Sequence, residues 1–149
     1  MAETAREFFE AVAEAVRDHR AAELILAYGR PRIQGVGRSG MSNPVEARFE
    51  SDEAAREVMA ATEEIIGEGL KRIEEIRLKA EYTADIIDMH YIDLLTWHQI
   101  IDVLNDGRGE EEFKERTIKR WCSNIFAAID EKGWAWLRNC ETDLTSVAR

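Results

Sequence analysis

The sequence predicts an all-α protein: a long helical hairpin with a Gly/Pro-rich loop, followed by a C-terminal helix-turn-helix. Three observations predict it. Apolar residues recur at spacings of three and four through most of the chain, and alternation is scarce. Both prolines, Pro31 and Pro44, fall in one stretch with Gly35, Gly37 and Gly40, which reads as a single long connector. A capped helix start stands at Thr96 and a second amphipathic stretch follows it. At 149 residues with 45% hydrophobic and 34% charged content, the chain is long enough to bury a core and polar enough to stay in water. No apolar run approaches the roughly 20 residues of a membrane helix.

Residues 4–28 carry Phe8, Phe9, Val12, Ala15, Val16, Ala22, Leu24, Ile25 and Ala27 at helical spacing, with a break expected near His19-Arg20. The connector spans 29–50. Its Gly35-Val36-Gly37 fragment lacks both a preceding strand and a Gly-Lys-Ser/Thr ending, so it reads as a linker and not a phosphate loop. Ser51-Asp52-Glu53 combines a capping hydroxyl with first-turn acids, which marks a helix start. From there Val58, Thr62, Ile65, Gly69, Ile73, Ile76, Ala80, Ala84, Ile87 and Tyr91 form a near-heptad stripe. One long helix is expected, laid antiparallel on the first or against a second copy of the chain. Residues 1–80 are thus read as the hairpin, 81–140 as the helix-turn-helix domain and 141–149 as a frayed tail.

In Leu95-Thr96-Trp97-His98-Gln99-Ile100, Thr96 and Gln99 have the spacing of a capping box, and Leu95 with Ile100 that of a hydrophobic staple. Ile100, Ile101 and Leu104 are the expected buried face, and Asp106-Gly107-Arg108-Gly109 the helix end. In the next helix Ile118, Trp121, Ile125, Phe126 and Ile129 share one face, and Thr117, Lys119, Arg120, Ser123 and Asn124 lie on or near the other. A short capped helix, a turn and a helix with a basic polar face is helix-turn-helix organisation. The tryptophans of Gly133-Trp134-Ala135-Trp136-Leu137 are expected to pack back on this domain, and Trp97 and Trp121 to be core residues.

The net charge is −10, which argues against nucleic-acid binding by the whole surface. It leaves room for a local basic face. Residues 114–139 hold six basic and three acidic side chains, a surplus of three, so the remainder carries −13.

Residues 94–129 resemble region four of bacterial sigma factors. Leu95-Thr96 opens the first helix, Ile100 and Leu104 hold its aliphatic positions, and Ile118, Trp121, Ile125, Phe126 and Ile129 match the buried spacing of the second. The wider layout is similar to phage and prophage late-gene transcriptional activators of the RinA and ArpU type. Three features depart from that pattern, one being Lys114-Glu115 where sigma factors commonly start the second helix with a small capping residue and a basic one. The turn from Asn105 to Phe113 is long, and Glu110-Glu111-Glu112 with Glu115 bring acids to it, either against a phosphate backbone or as the start of a lengthened helix near Glu110.

The resemblance implies a sequence-specific DNA-binding regulator in the cytoplasm of a bacterial host, acting on double-stranded DNA with RNA polymerase. Its second helix would enter the major groove. Arg116, Lys119 and Arg120 are placed to reach base edges, with Asn124 reaching an adenine or a phosphate and Thr117 beside them. Ser123 is read as a phosphate contact, and Lys114 and Lys132 as sequence-independent attraction. So few contacts on an acidic chain predict weak monomer binding, so a homo-oligomer through the hairpin, or polymerase, is the expected co-binder.

Other chemistries fit less well. His19, His90 and His98, with Cys122 and Cys140 lacking a CxxC pattern, do not make a zinc site, and no cofactor is expected. Two cysteines make no disulfide framework and suit a reducing compartment, and the N-terminus lacks the pattern of a secretory signal. Cys122 lies near Lys119 and Arg120, yet no general base is in view, so a half-buried structural thiol is expected. All-α nucleotide pyrophosphohydrolases hold magnesium on Glu-x-x-Glu and Glu-x-x-Asp pairs. Glu64/Glu68 and Glu81/Asp85 are each one residue too widely spaced, so the chain is read as not an enzyme. A protein-binding adaptor and a terminase small subunit-like packaging protein stay open as alternatives.

Overall fold

A computed structural model describes residues 3–29, 51–106 and 113–138, and in these the chain is all-α with no strand. Helix α1 runs Ala5–Tyr28 and α2 Asp52–Arg77. Helix α3, Glu81–Ile87, continues into a π-helical turn at Asp88–Ile92. Helix α4 is Trp97–Asn105, α5 is Glu115–Lys132, and a 3₁₀ turn at Trp134–Arg138 closes the described chain. The connector at 30–50, the acids Glu110–Glu112, Cys140 and the tail 141–149 lie outside the described residues.

The chain divides into two compact units, and the division passes through α1 and α2. The smaller, residues 14–67, pairs the C-terminal half of α1 with the N-terminal half of α2. Its core is Ala22, Ile25 and Ala55, flanked by Ala21, Leu26, Val58 and Met59. His19 Nε2 lies 3.8 Å from a Glu63 carboxylate oxygen. Contacts thus run in opposite order along the two helices, as small apolar faces packed side by side require. Ser51 caps α2 as its sequence predicts, its Oγ accepting from Ala54 N at 3.1 Å. Helix α1 shows no break at His19-Arg20; one continuous apolar face lets it run unbroken.

The larger unit comprises residues 1–13 and 68–149. Phe9, Val12, Ile73, Ile76, Ile86, Ile87, Ile100, Ile118, Ile125 and Leu137 are almost fully buried there. Phe9 sits in an aromatic cluster, 5.7 Å from the rings of both Tyr91 and Phe126. Trp136 and Leu137 are buried, and Trp134 meets Phe8 edge-on at 5.2 Å, so the C-terminal tryptophans do fold back. Gly133, at φ 87°, supplies the left-handed residue that turns the chain out of α5.

The stripe from Val58 to Tyr91 does not lie on one long helix. Leu78-Lys79-Ala80 interrupts it, with Lys79 N and Ala80 N both donating to Ile76 O. No Gly or Pro marks the break. Tertiary contacts favour it: buried Lys79 places its ammonium 5.3 Å from the Trp136 ring, and Arg77 pairs with Asp85 across the turn. Ile65 is 41% exposed, so the stripe is not buried along its full length either.

Candidate nucleic-acid interface

The entry to α4 is built at a strained corner. Leu94 takes φ 59°, a left-handed value that costs a non-glycine residue about 1–2 kcal/mol. Around it, Leu95 N donates to Met89 O at 2.9 Å, and His90 Nδ1 lies 2.9 Å from Leu95 O. The His90 ring stacks on Trp97 with centroids 4.0 Å apart. Thr96 then caps α4. Its Oγ1 accepts from Gln99 N at 3.1 Å, and its own N–H donates to Gln99 Oε1 at 2.8 Å, so the box read from the sequence is present in both halves. Ile100 and Ile101 are buried as expected, and Leu104 is only half-buried.

Asn105 fixes the far end of α4. Its side-chain amide donates to Phe113 O at 3.1 Å, and its carbonyl oxygen accepts from Phe113 N at 3.0 Å. This two-point clamp ties the last residue of α4 to the approach of α5 across the long connection. Phe113 is buried, edge-on to Trp121 and tilted against Tyr82. Lys114 is extended and Phe113 is not helical, so α5 starts at Glu115; Glu110–Glu112, the start of the lengthened helix offered as an alternative, lie outside the described residues. Phe113, whose N–H and C=O are both taken by the Asn105 side chain, is not available to the helix.

Helix α5 buries Ile118, Cys122, Ile125, Phe126 and Ile129. Trp121 is half-buried at the edge of that face, as is Trp97 on α4, so neither is a core residue in full. Cys122 is 2% exposed, deeper than the half-buried thiol expected, and burial pushes its thiol up to about 12. A thiol so placed is a poor nucleophile.

The candidate contact residues fall as follows. Arg116, Lys119, Arg120, Ser123, Asn124 and Lys114 are exposed, and Thr117 is half-buried on the flank. Among the described residues no carboxylate is ion-paired to Arg116, Arg120 or Lys114. Lys119 differs. Its Nζ lies 2.7 Å from Glu115 on the same helix and 5.8 Å from the Trp97 ring centroid. Such an exposed pair is worth only a few tenths of a kcal/mol, so it biases Lys119 without locking it. Lys132 lies 4.9 Å from the Trp136 ring.

Ser123 has a partner that the sequence did not disclose. Arg6 of α1 donates from Nη2 to Ser123 Oγ at 3.0 Å, and its guanidinium lies 5.2 Å from the Phe126 ring. The start of α1 is held there by two caps. Thr4 and Glu7 form a capping box, and Ala5 N donates to Asp130 Oδ1 at 2.7 Å. The Thr-x-x-Glu spacing at Thr4 was a readable local signal; the bond from Arg6 to Ser123, 117 residues apart, had none.

Two of the four acids weighed for metal binding, Glu68 and Asp85, are engaged with arginines, as are their neighbours Glu74 and Glu75. Glu68 and Glu75 face Arg72, Glu74 and Asp85 face Arg77, and Glu75 also accepts from Arg138 at 3.1 Å. Among the described residues no three His, Cys, Asp or Glu side chains converge as a metal set. No described helix is long and apolar enough to cross a membrane. Comparison of the chain with protein-family models, with curated proteins and with solved structures found no match.

Proposed function

We propose that this chain is a sequence-specific DNA-binding regulator of phage or prophage type, with α5 as its reading helix and RNA polymerase as co-binder. One observation carries the reading. Arg116 and Arg120, one turn apart on the open face of α5, have no described carboxylate partner on a chain of net charge −10. Both side chains are exposed on that face. Spaced by four, both guanidiniums project to one side, where each has the planar fork that matches the two acceptors of a guanine edge. The Thr96 box and the Asn105 clamp support this assignment by fixing both ends of α4 beside α5.

The test is selection from random duplex DNA with the intact protein, repeated with R116A/R120A. The expected result is an enriched motif that the double variant loses or relaxes, each guanine contact being worth about 1–3 kcal/mol of discrimination. No enrichment by the native protein, or the same motif with the double variant, refutes the proposal.

A second reading, a protein-binding adaptor, draws on the pairing of Glu115 with Lys119, which halves the cationic character at that point of the face. It predicts that DNA is not enriched and that polymerase is retained by the protein without DNA.

A further inference from the structure

We infer that Arg6 and Ser123 together form a binding point for one phosphate of duplex DNA, alongside the base-reading arginines of α5. The inference rests on the DNA-binding reading and adds to it a residue from the opposite end of the chain.

The geometry points this way for three reasons. Ser123 follows Arg116 and Arg120 at intervals of four and three, so the three positions share one face over about 10 Å of helix axis. The hydroxyl of Ser123 accepts from Arg6, which leaves its own O–H free to donate, and Arg6, which also hydrogen-bonds the Tyr91 side chain, keeps N–H donors beyond those two. Two donors that meet at one point, one of them charged, suit a phosphate oxygen better than a base edge.

Arg6 is also held in place and left without an acid. The caps at Thr4 and Asp130 fix the first turn of α1 against α5, and the guanidinium rests near Phe126, where a cation is favoured. Glu10, one turn further along α1, lies in electrostatic range of Tyr91 without an ion pair to Arg6, and two other acids nearby have other roles. Glu7 is turned back on Thr4, and Asp130 is bonded to the first helical amide of α1. Among the described residues no carboxylate is ion-paired to Arg6. Ser123 in turn serves as both acceptor for Arg6 and donor to the ligand, which reconciles its expected phosphate role with the bond seen here.

The experiment measures affinity of the intact chain for a selected duplex and for an unrelated duplex, across a range of salt, with R6Q, R6K and S123A. R6Q is expected to weaken binding to both duplexes by the same factor, about tenfold, and to lower the slope of log K against log salt by about one. R6K should retain the slope, and S123A should weaken binding a few-fold with the slope intact. Duplexes neutralised by methylphosphonate at single phosphates should show one position whose cost disappears in R6Q and shrinks in S123A. Unchanged affinity and slope in R6Q, while the native protein binds DNA, overturns this inference alone. A native protein that binds no duplex but retains polymerase overturns it together with the reading it rests on. S123A, an exposed helical substitution, keeps the test valid if loss of the contact with Phe126 unfolds R6Q.

Discussion

Gly67 and Gly69 stand two residues apart on α2 and meet opposite surroundings. A Cβ at Gly69 would lie 2.8 and 2.9 Å from the two methyls of Val12, which is fully buried and β-branched and so has no room to yield. At Gly67 a Cβ meets nothing within 4 Å. Alanine gains about 0.5–1 kcal/mol over glycine inside a helix, while overpacking costs about 1–3 kcal/mol. G67A should therefore stabilise the protein and G69A destabilise it by about 1–2 kcal/mol net, as read by urea denaturation. In the double variant V12A/G69A the two costs should fall well short of adding; strict additivity would show that the close approach is not what constrains Gly69.

Burial governs the two groups with the most altered acidity. Cys122 and Tyr91 are both pushed up to about 12, from ordinary values of 9.0 and 10.0, chiefly because an anion would be stranded from water. Between the ordinary and the raised values the folded chain keeps protons that the unfolded chain has shed. Stability is therefore full below about pH 9 and falls as pH rises through 12. Denaturation midpoints compared at about pH 8 and about pH 11 should show this fall, and C122A should make it shallower whatever its own packing cost. The same burial predicts that iodoacetamide leaves Cys122 unlabelled in native protein and labels it in denaturant. Rapid native labelling would contradict the buried placement.

At the scale of elements, the placement of α4 beside α5 depends on side-chain to backbone bonds at its two ends. T96A removes one half of the capping box and should cost about 1 kcal/mol. N105A removes both bonds to Phe113 and leaves a part-buried N–H and C=O without their partner, for about 1–3 kcal/mol. The functional consequences should differ. On the proposed DNA-binding function, N105A frees the approach to α5 and is expected to lower DNA affinity beyond its effect on stability, measured well below the unfolding midpoint. An affinity that survives N105A would mean the clamp does not position the reading helix. The element pattern was legible where the signal was local, at Ser51, Thr96 and the amphipathic faces of α1 and α5. It was illegible at Leu78–Ala80, where no breaker residue stands and the turn is decided by Lys79 meeting Trp136 and Arg77 meeting Asp85.

For the whole molecule, charge is the controlling quantity. If it binds DNA as proposed, through three or four phosphates, this protein of charge −10 should lose about 10²-fold in affinity between 50 and 200 mM salt, from a release of about 0.9 counterion per phosphate. Titrations at several salt concentrations check this, and a flat response would exclude phosphate contact as the source of binding. Sedimentation at micromolar concentration bears on the expected homo-oligomer, and a strict monomer would leave polymerase as the only proposed source of added affinity.

Composition and periodicity by themselves determined that the chain is all-α, where several of its helices begin, and which faces of α1 and α5 turn inward. Those features depend on bonds between residues three or four apart and on the period of the helix, both written in local order. Only the tertiary structure decided the break at Leu78–Ala80, the depth of Cys122, the start of α5 at Glu115 and the meeting of Arg6 with Ser123. Each depends on contacts longer than one helical turn, from eight residues apart at Asn105 and Phe113 to 117 at Arg6 and Ser123, and the energy that selects them exists only once the chain has folded around them.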